Sequence, residues 1–426
     1  MNPGEKGWLK KYIAFFDRRL RESSPATPVS QMLALSGPDQ FVYQAATYTG
    51  LWYGHPVDFV CGAPADTPHW TEKDKMKVIL AEMYLLSGMY LLRLPEGQTR
   101  PPVRAVVSHL SGFLARYAVR NGESSRRSGA ADQIEAILDR SIHIRRTGTN
   151  VWGRYFHNSF LLLEIWLYLQ YGHAPDTPSE VLQAARERLQ LGALRVIAAA
   201  AHADGVILPQ ERALFEYFRI SAGLPPEADR RARALLVRPE PHFVSDETGA
   251  GELVSRYYLT LGLLTTLAAG PAAAGEERFL NTLAHQLRLR SEALRESRSA
   301  AGVFVWRYWH QVHYFQRRHQ GVFVSAKLLT YLRVQVRRHK TLFRKALDGS
   351  RELGRLLHES TRRALTPTEK QFVRIQILDL LKSVPAFTLF MLPGAFITLP
   401  ILFRIIPKTL IYPSAFLPEH EEEFEG

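Results

Sequence analysis

From Val384 to Phe403 the chain runs for 20 positions without a charged side chain, and no other segment makes a convincing membrane span. Twenty residues of helix rise about 30 Å, the thickness of a bilayer's hydrocarbon core. Pro385, Pro393 and Pro400, together with Gly394, lie inside this segment. In water, three internal prolines would remove backbone hydrogen bonds and break a helix, whereas in a bilayer neighbouring groups can satisfy the freed carbonyls and kinked helices are tolerated. The segment is therefore expected to be a transmembrane helix or a re-entrant hairpin, and a buried soluble helix is the alternative that the prolines argue against.

The flanks bear on orientation. Between residues 303 and 383, 17 basic residues face 5 acidic ones, so this segment carries +12 of a formal net charge of +13. Arg333, Arg337, Arg338 and Lys340 are expected to present a basic surface there. The positive-inside rule keeps such a segment cytoplasmic. Arg404 and Lys408 follow the span and weaken the assignment; they could snorkel to the far interface or hold a hairpin on the cytoplasmic side. The chain ends in an acidic tail with Glu419, Glu421, Glu422, Glu423 and Glu425. A basic collar of this kind suits anionic lipid headgroups, nucleic acid or ribosome, and the charge alone does not choose among them.

Upstream, apolar residues recur at three- and four-residue steps, as at Ile134, Leu138 and Ile142, and alternating strand patterns are scarce, so the chain reads as mainly α. Leu9–Phe16 is expected to form an amphipathic helix, its apolar run being too short and broken for an export signal. Phe156–Leu169 is strongly apolar, but Asn158 and Glu164 interrupt it, which favours a buried core helix over a span. Tyr171–Pro178 reads as a linker. Cys61 is the single cysteine, which excludes an intramolecular disulfide framework and fits a reducing compartment.

Leu365-Thr366-Pro367-Thr368-Glu369-Lys370-Gln371-Phe372, then Asp379, Val384-Pro385, Pro393, Pro400, Arg404, Pro407 and Pro413-Ser414-Ala415-Phe416, resembles the LETM family of inner-membrane proteins. The resemblance implies a proline-punctuated membrane segment in a bacterial inner membrane. Members that exchange cations carry a glutamate in mid-span, where this chain has Phe396. An intramembrane carboxylate is the group that would take up and release a cation, so its absence argues against transport. The chain also stops soon after Phe416, where the family continues into a ribosome-binding-like domain.

A second resemblance lies in Ala198–Arg212, where an alanine-rich helix, Ala203-Asp204-Gly205 and an acidic helix start look like the TerB-type tellurite-resistance fold. In that fold such acidic residues are associated with metal, which implies a divalent-cation site using Asp204 and Glu211. Local roles explain the same residues: Asp204-Gly205 makes a turn, Pro209 suits a first helical turn, and Glu211 sits near a helix N-terminus where its charge is favoured. A weaker copy runs through Ala268–Leu280, where Glu277 and Leu280 echo Glu211 and Leu214. The combination of segments resembles the LETM-related biofilm-associated protein family.

The expected organisation is thus a set of multi-helical bundles with a C-terminal proline-rich transmembrane or re-entrant helix. An N-terminal helical domain covers residues 1–185, a TerB-like domain 186–300, a basic LETM-like segment 301–383, and the span with its acidic tail 384–426. His310 and His313 share a helix face, but the glutamate of a His-Glu-x-x-His helix is missing and aromatic residues surround them. No Walker loop, nucleophile elbow or dinucleotide glycine pattern is found, so the chain reads as non-enzymatic. The leading expectation is a membrane-anchored helical adaptor, its bulk in the cytoplasm, touching membrane lipids and a protein partner or a second copy of itself. An ion-transport accessory or cation exchanger and a ribosome-binding membrane factor are the alternatives.

Overall fold

The computed structural model describes residues 1–25, 27–35, 37–93, 101–117, 129–142, 156–207, 209–238, 251–269, 274–308 and 351–359, with 366, 368, 369, 372 and 373. Among them there is no β-strand, and the mainly α reading holds. The α-helices are α1 (Trp8–Arg21), α2 (Pro28–Leu33), α3 (Pro38–Thr49), α4 (Glu72–Leu91), α5 (Val103–Tyr117), α6 (Ala130–Ser141), α7 (Leu161–Tyr171), α8 (Ser179–Ala201), α9 (Pro209–Ala222), α10 (Pro226–Val237), α11 (Gly251–Ala269), α12 (Ala274–Gln286), α13 (Ser291–Tyr308) and α14 (Arg351–Glu359). Pro28, Pro38, Pro209 and Pro226 each open a helix, where a missing backbone N–H costs nothing.

Helix α4 is the axis of the N-terminal half. Thr71 and Asp74 cap it reciprocally, each side chain accepting from the other's backbone N–H at 3.2 Å. Every residue from Met76 to Leu91 is buried, as expected of a helix with no polar face. Packing on all sides is achieved by α1, α3, α5, α6 and α7. At Gly88 a methyl group would come within 2.4 Å of Val106 on α5 and 3.0 Å of the Tyr168 hydroxyl on α7, so glycine sets the closeness of three helices.

Helix α8 anchors the other half, with α9, α10 and α11 laid on it. The two halves share one core: α7 packs on α8, α3 on α11, and the 3-10 turn Phe156–Phe160 on α9. Aromatic residues fill that seam. Phe218 meets both Phe156 and Phe160 at 4.9 Å, and Trp52 lies edge-on to Tyr257 at 5.8 Å while its indole N–H donates to Thr260 at 3.1 Å. The break expected between residues 185 and 186 falls inside α8, and Met1–Arg298 forms one compact unit. The expected linker is a short turn pinned to α5: Arg116 donates to the carbonyls of Ala174 and Pro175, and His109 Nε2 lies 3.0 Å from the Gly172 carbonyl. Since a carbonyl only accepts, Nε2 carries the proton, leaving Nδ1 to accept from the Tyr168 hydroxyl at 2.8 Å.

Helix α1 buries Trp8, Leu9, Tyr12, Phe16 and Leu20 along one face, as an amphipathic helix should. Residues 156–171 are buried almost throughout; Glu164, the charge that interrupts the apolar run, pairs with Arg186 of α8 at 2.9 Å. Ile134, Leu138 and Ile142 are all core residues.

The second unit takes the described residues from Ser299 onward. Within it Leu353 and Leu356 of α14 are buried while Arg355 pairs with Glu352 and Glu359 on the exposed side. Thr366 and Glu369 form a reciprocal cap, with Thr366 N–H donating to Glu369 at 2.8 Å and Glu369 N–H to Thr366 Oγ1 at 3.3 Å. Among the described residues no helix is long and apolar enough to cross a membrane. Pro385, Pro393, Pro400 and Arg404, the basic residues Arg333, Arg337, Arg338 and Lys340, and His310 and His313 all lie outside the described residues.

Candidate functional sites

The turn from His202 to Gly205 connects α8 to α9. Gly205 takes φ +86°, and the Asp204 carboxylate accepts from the backbone N–H of Val206 at 2.9 Å, the aspartate turn anticipated from Asp204-Gly205. His202 Nε2 lies 2.9 Å from the carbonyl of Leu236 and ties the turn to the end of α10. Gly275, at the start of α12, sits so close that an added methyl would stand 2.5 Å from the Ala203 carbonyl. The turn is therefore clamped between α10 and α12.

Asp204 is exposed and already committed to its own turn, whereas Glu211 is buried in the first turn of α9. A hard divalent cation requires several oxygens. Among the described residues, no group of three or more His, Cys, Asp or Glu side chains is arranged to hold a metal ion. In the weaker copy, Glu276 is the buried acid of α12, while Glu277 reaches across to Arg298 at 2.6 Å.

A buried polar cluster lies elsewhere among the described residues, at positions that no sequence motif singles out. Glu82, on α4, is fully buried. Its Oε1 accepts from the Tyr12 hydroxyl at 2.9 Å and from Cys61 N–H at 2.8 Å, and Oε2 accepts from Val60 N–H at 2.8 Å. Burial pushes the Glu82 carboxyl up to about 7, against the pull of these donors, which favour the charged form. Burial and the Glu82 charge push the Cys61 thiol well up, which leaves it a poor nucleophile. Arg19 completes the cluster by donating from Nε to the Cys61 carbonyl at 2.9 Å. No substrate reaches Glu82 without opening the core, so its chemistry here is structural: one carboxylate holds α1, α4 and the loop at 60–61 together.

A second buried carboxylate works the same way. Glu135 of α6 accepts from Gly7 N–H at 2.7 Å and Leu9 N–H at 2.9 Å, supplying the N-terminus of α1 with the negative charge that its own first turn lacks. Half-buried Asp39 of α3 adds a long-range acceptor at the N-terminus of α11, beside that helix's own Glu252, taking a hydrogen bond from Leu253 N–H at 3.1 Å. These long-range caps carry no signal in local spacing, because donor and acceptor are distant in the chain.

No model of a known protein family, no curated protein and no solved structure matches the chain.

Proposed function

We propose that the chain is a membrane-anchored helical adaptor with a LETM-like C-terminus. The observation that carries this reading is the 20-residue uncharged segment 384–403 placed directly after a segment of net +12. The span fixes the chain in a bacterial inner membrane, the basic segment lies on anionic headgroups, and the unit Met1–Arg298 offers its helical surface in the cytoplasm to a protein partner or a second copy. A preformed core with internally capped helices supports a binding role, since little ordering entropy is spent on docking. Divalent-cation binding by Asp204 and Glu211 is a subsidiary element of the proposal, tested by thermal melts with and without the metal.

Carbonate extraction of membranes from cells expressing the full chain and a chain ended after Lys382 tests the anchor. The full chain is expected to resist extraction and the shortened chain to wash off. If both wash off, the anchored reading fails and a helical binding protein without a span takes its place.

A further inference from the structure

His109 of α5 commits both of its ring nitrogens to the end of α7. Nε2–H donates to the Gly172 carbonyl, and Nδ1 accepts from the Tyr168 hydroxyl at 2.8 Å. Tyr168 is fully buried, between Tyr84 of α4 at 5.9 Å and Phe113 of α5 at 5.0 Å. Among the described residues His109 is the one hydrogen-bond partner of its hydroxyl. A second proton on the ring has to sit on Nδ1, the atom that takes the Tyr168 hydrogen. Two donors then face each other: the hydroxyl turns away and leaves its hydrogen unpaired in the core, or the ring leaves the contact.

The surroundings offer no anion to compensate. Arg116, on the same face of α5, donates to the Ala174 and Pro175 carbonyls, and exposed His173 lies in the same turn; both repel a charge on the ring. The acids of the elements packed on α5 are engaged elsewhere. On α6, Asp132 pairs with Lys10, Asp139 with Lys77, and Glu135 caps α1. On α4, Glu72 and Asp74 stand in the first turn and Glu82 faces Tyr12. Glu164 of α7 pairs with Arg186, and Glu187 of α8 with Arg231. Asp176 and Glu180, at the junction of α7 and α8, are exposed, where water and salt screen them. Burial, reinforced by His173 and Arg116, holds the imidazole below its usual 6.5, against the pull of the Gly172 carbonyl.

The turn that joins α7 to α8 is fastened by side chains from α5 alone among the described residues, His109 at Gly172 and Arg116 at Ala174 and Pro175. Arginine keeps its charge at every ordinary pH, so His109 is the fastening that titrates. We propose that His109 is an acid-sensitive latch, whose protonation at Nδ1 releases the turn 172–175 from α5 and loosens the joint between α7 and α8. The released ring takes up a proton at its ordinary value and the latched ring only at a lower one. Closure is therefore complete above 6.5 and weakens as pH falls below it, by at most about tenfold per pH unit. The latch stands or falls independently of the membrane anchor.

Two measurements on the full chain in neutral detergent test it. Deuterium uptake at the imidazole C2 positions, read by mass spectrometry, gives a titration midpoint for each histidine. That of His109 is expected below the ordinary value of about 6.5, and a midpoint at or above it overturns the proposal. Backbone amide exchange, corrected for the intrinsic pH dependence of the chemistry, reports opening at Gly172, Ala174 and Thr177, whose N–H groups donate to the Tyr168, Tyr171 and Ala174 carbonyls. Protection there is expected to fall severalfold between about pH 6.5 and about pH 5.5, while the middle of α8 stays protected. Protection that does not fall, or falls equally throughout α8, overturns the latch.

His109→Gln removes the titrating group, so protection of the turn should no longer vary with pH, whatever its level. A slope that persists in this variant assigns the loosening to another group and defeats the proposal. Tyr168→Phe keeps the ring packing and removes the hydrogen that competes for Nδ1, so the His109 midpoint should rise toward the ordinary value. An unmoved midpoint would mean that the hydroxyl does not oppose the proton, and the latch fails.

Discussion

The Tyr12 hydroxyl donates a 2.9 Å hydrogen bond to Glu82, 70 positions further along the chain, and thereby fastens α1 to the buried face of α4. Glu82 carries a proton more readily in the folded chain, at about 7, than in the unfolded one, at the ordinary 4.5. A raised folded value gives stability that is fully present below the unfolded value and is lost as pH rises through the folded one. Between pH 4.5 and 7 this group should therefore withdraw about 3 kcal/mol of stability. His109 acts in the opposite sense: burial lowers its folded value below 6.5, so its contribution is lost as pH falls. The diagnostic quantity is thus the difference between wild type and Glu82→Gln in urea unfolding across that window. The variant should be less stable at pH 5 and should lose the Glu82-linked part of the slope; an unchanged slope would refute the assignment.

Glu135→Ala removes both acceptors from the N-terminus of α1. Two charge-assisted bonds to backbone N–H groups are at stake, and a loss of about 2 kcal/mol is expected. Amide hydrogen exchange should report it locally, with faster exchange at Gly7 and Leu9 and little change in α11. A variant as stable as wild type, with exchange unaltered, would show that water replaces the cap at no cost.

Gly88→Ala places a methyl group 2.4 Å from Val106 and forces α4 away from α5. Overpacking of this kind costs about 1–3 kcal/mol. Replacing Val106 by Ala in the same chain should recover part of the loss, and a double-mutant cycle with zero coupling would contradict the close approach.

Asp204→Ala loses the turn bond to Val206 and should cost about 1 kcal/mol. Thermal melts in magnesium or calcium and in chelator separate the two roles of this residue. If a cation binds through Asp204 and Glu211, the metal raises Tm in wild type and neither single variant responds. If the residue only shapes its turn, the two melts coincide in wild type.

Much of the helical architecture could be read from spacing, because the buried faces of α1 and α6 repeat at three and four residues and because proline marks four helix starts. The Asp204-Gly205 turn was legible for the same reason: both residues act within their own neighbourhood. Glu82 and Glu135 were not. Each looks in sequence like a polar residue on a helix, and each acquires its role from N–H groups on another segment that only the fold brings near. Glu164 stands out in sequence as a charge within an apolar run, yet its partner Arg186, across the turn between α7 and α8, has no signal in local spacing. Arg288 gave no warning either, since a left-handed arginine has no sequence signature where glycine would be expected.

Helix α8 is shared by the helices on either side of it in the chain, and this matters to anyone who wants to work with a portion of the protein. A fragment begun at residue 186 would start seven residues into that helix, without Glu164 to meet Arg186 and without Phe156 and Phe160 to cover Phe218. Such a fragment would expose a freshly cut apolar seam and gather into aggregates. Useful boundaries for expression therefore lie beyond the end of α13 at Tyr308, not at the point where the sequence changes character.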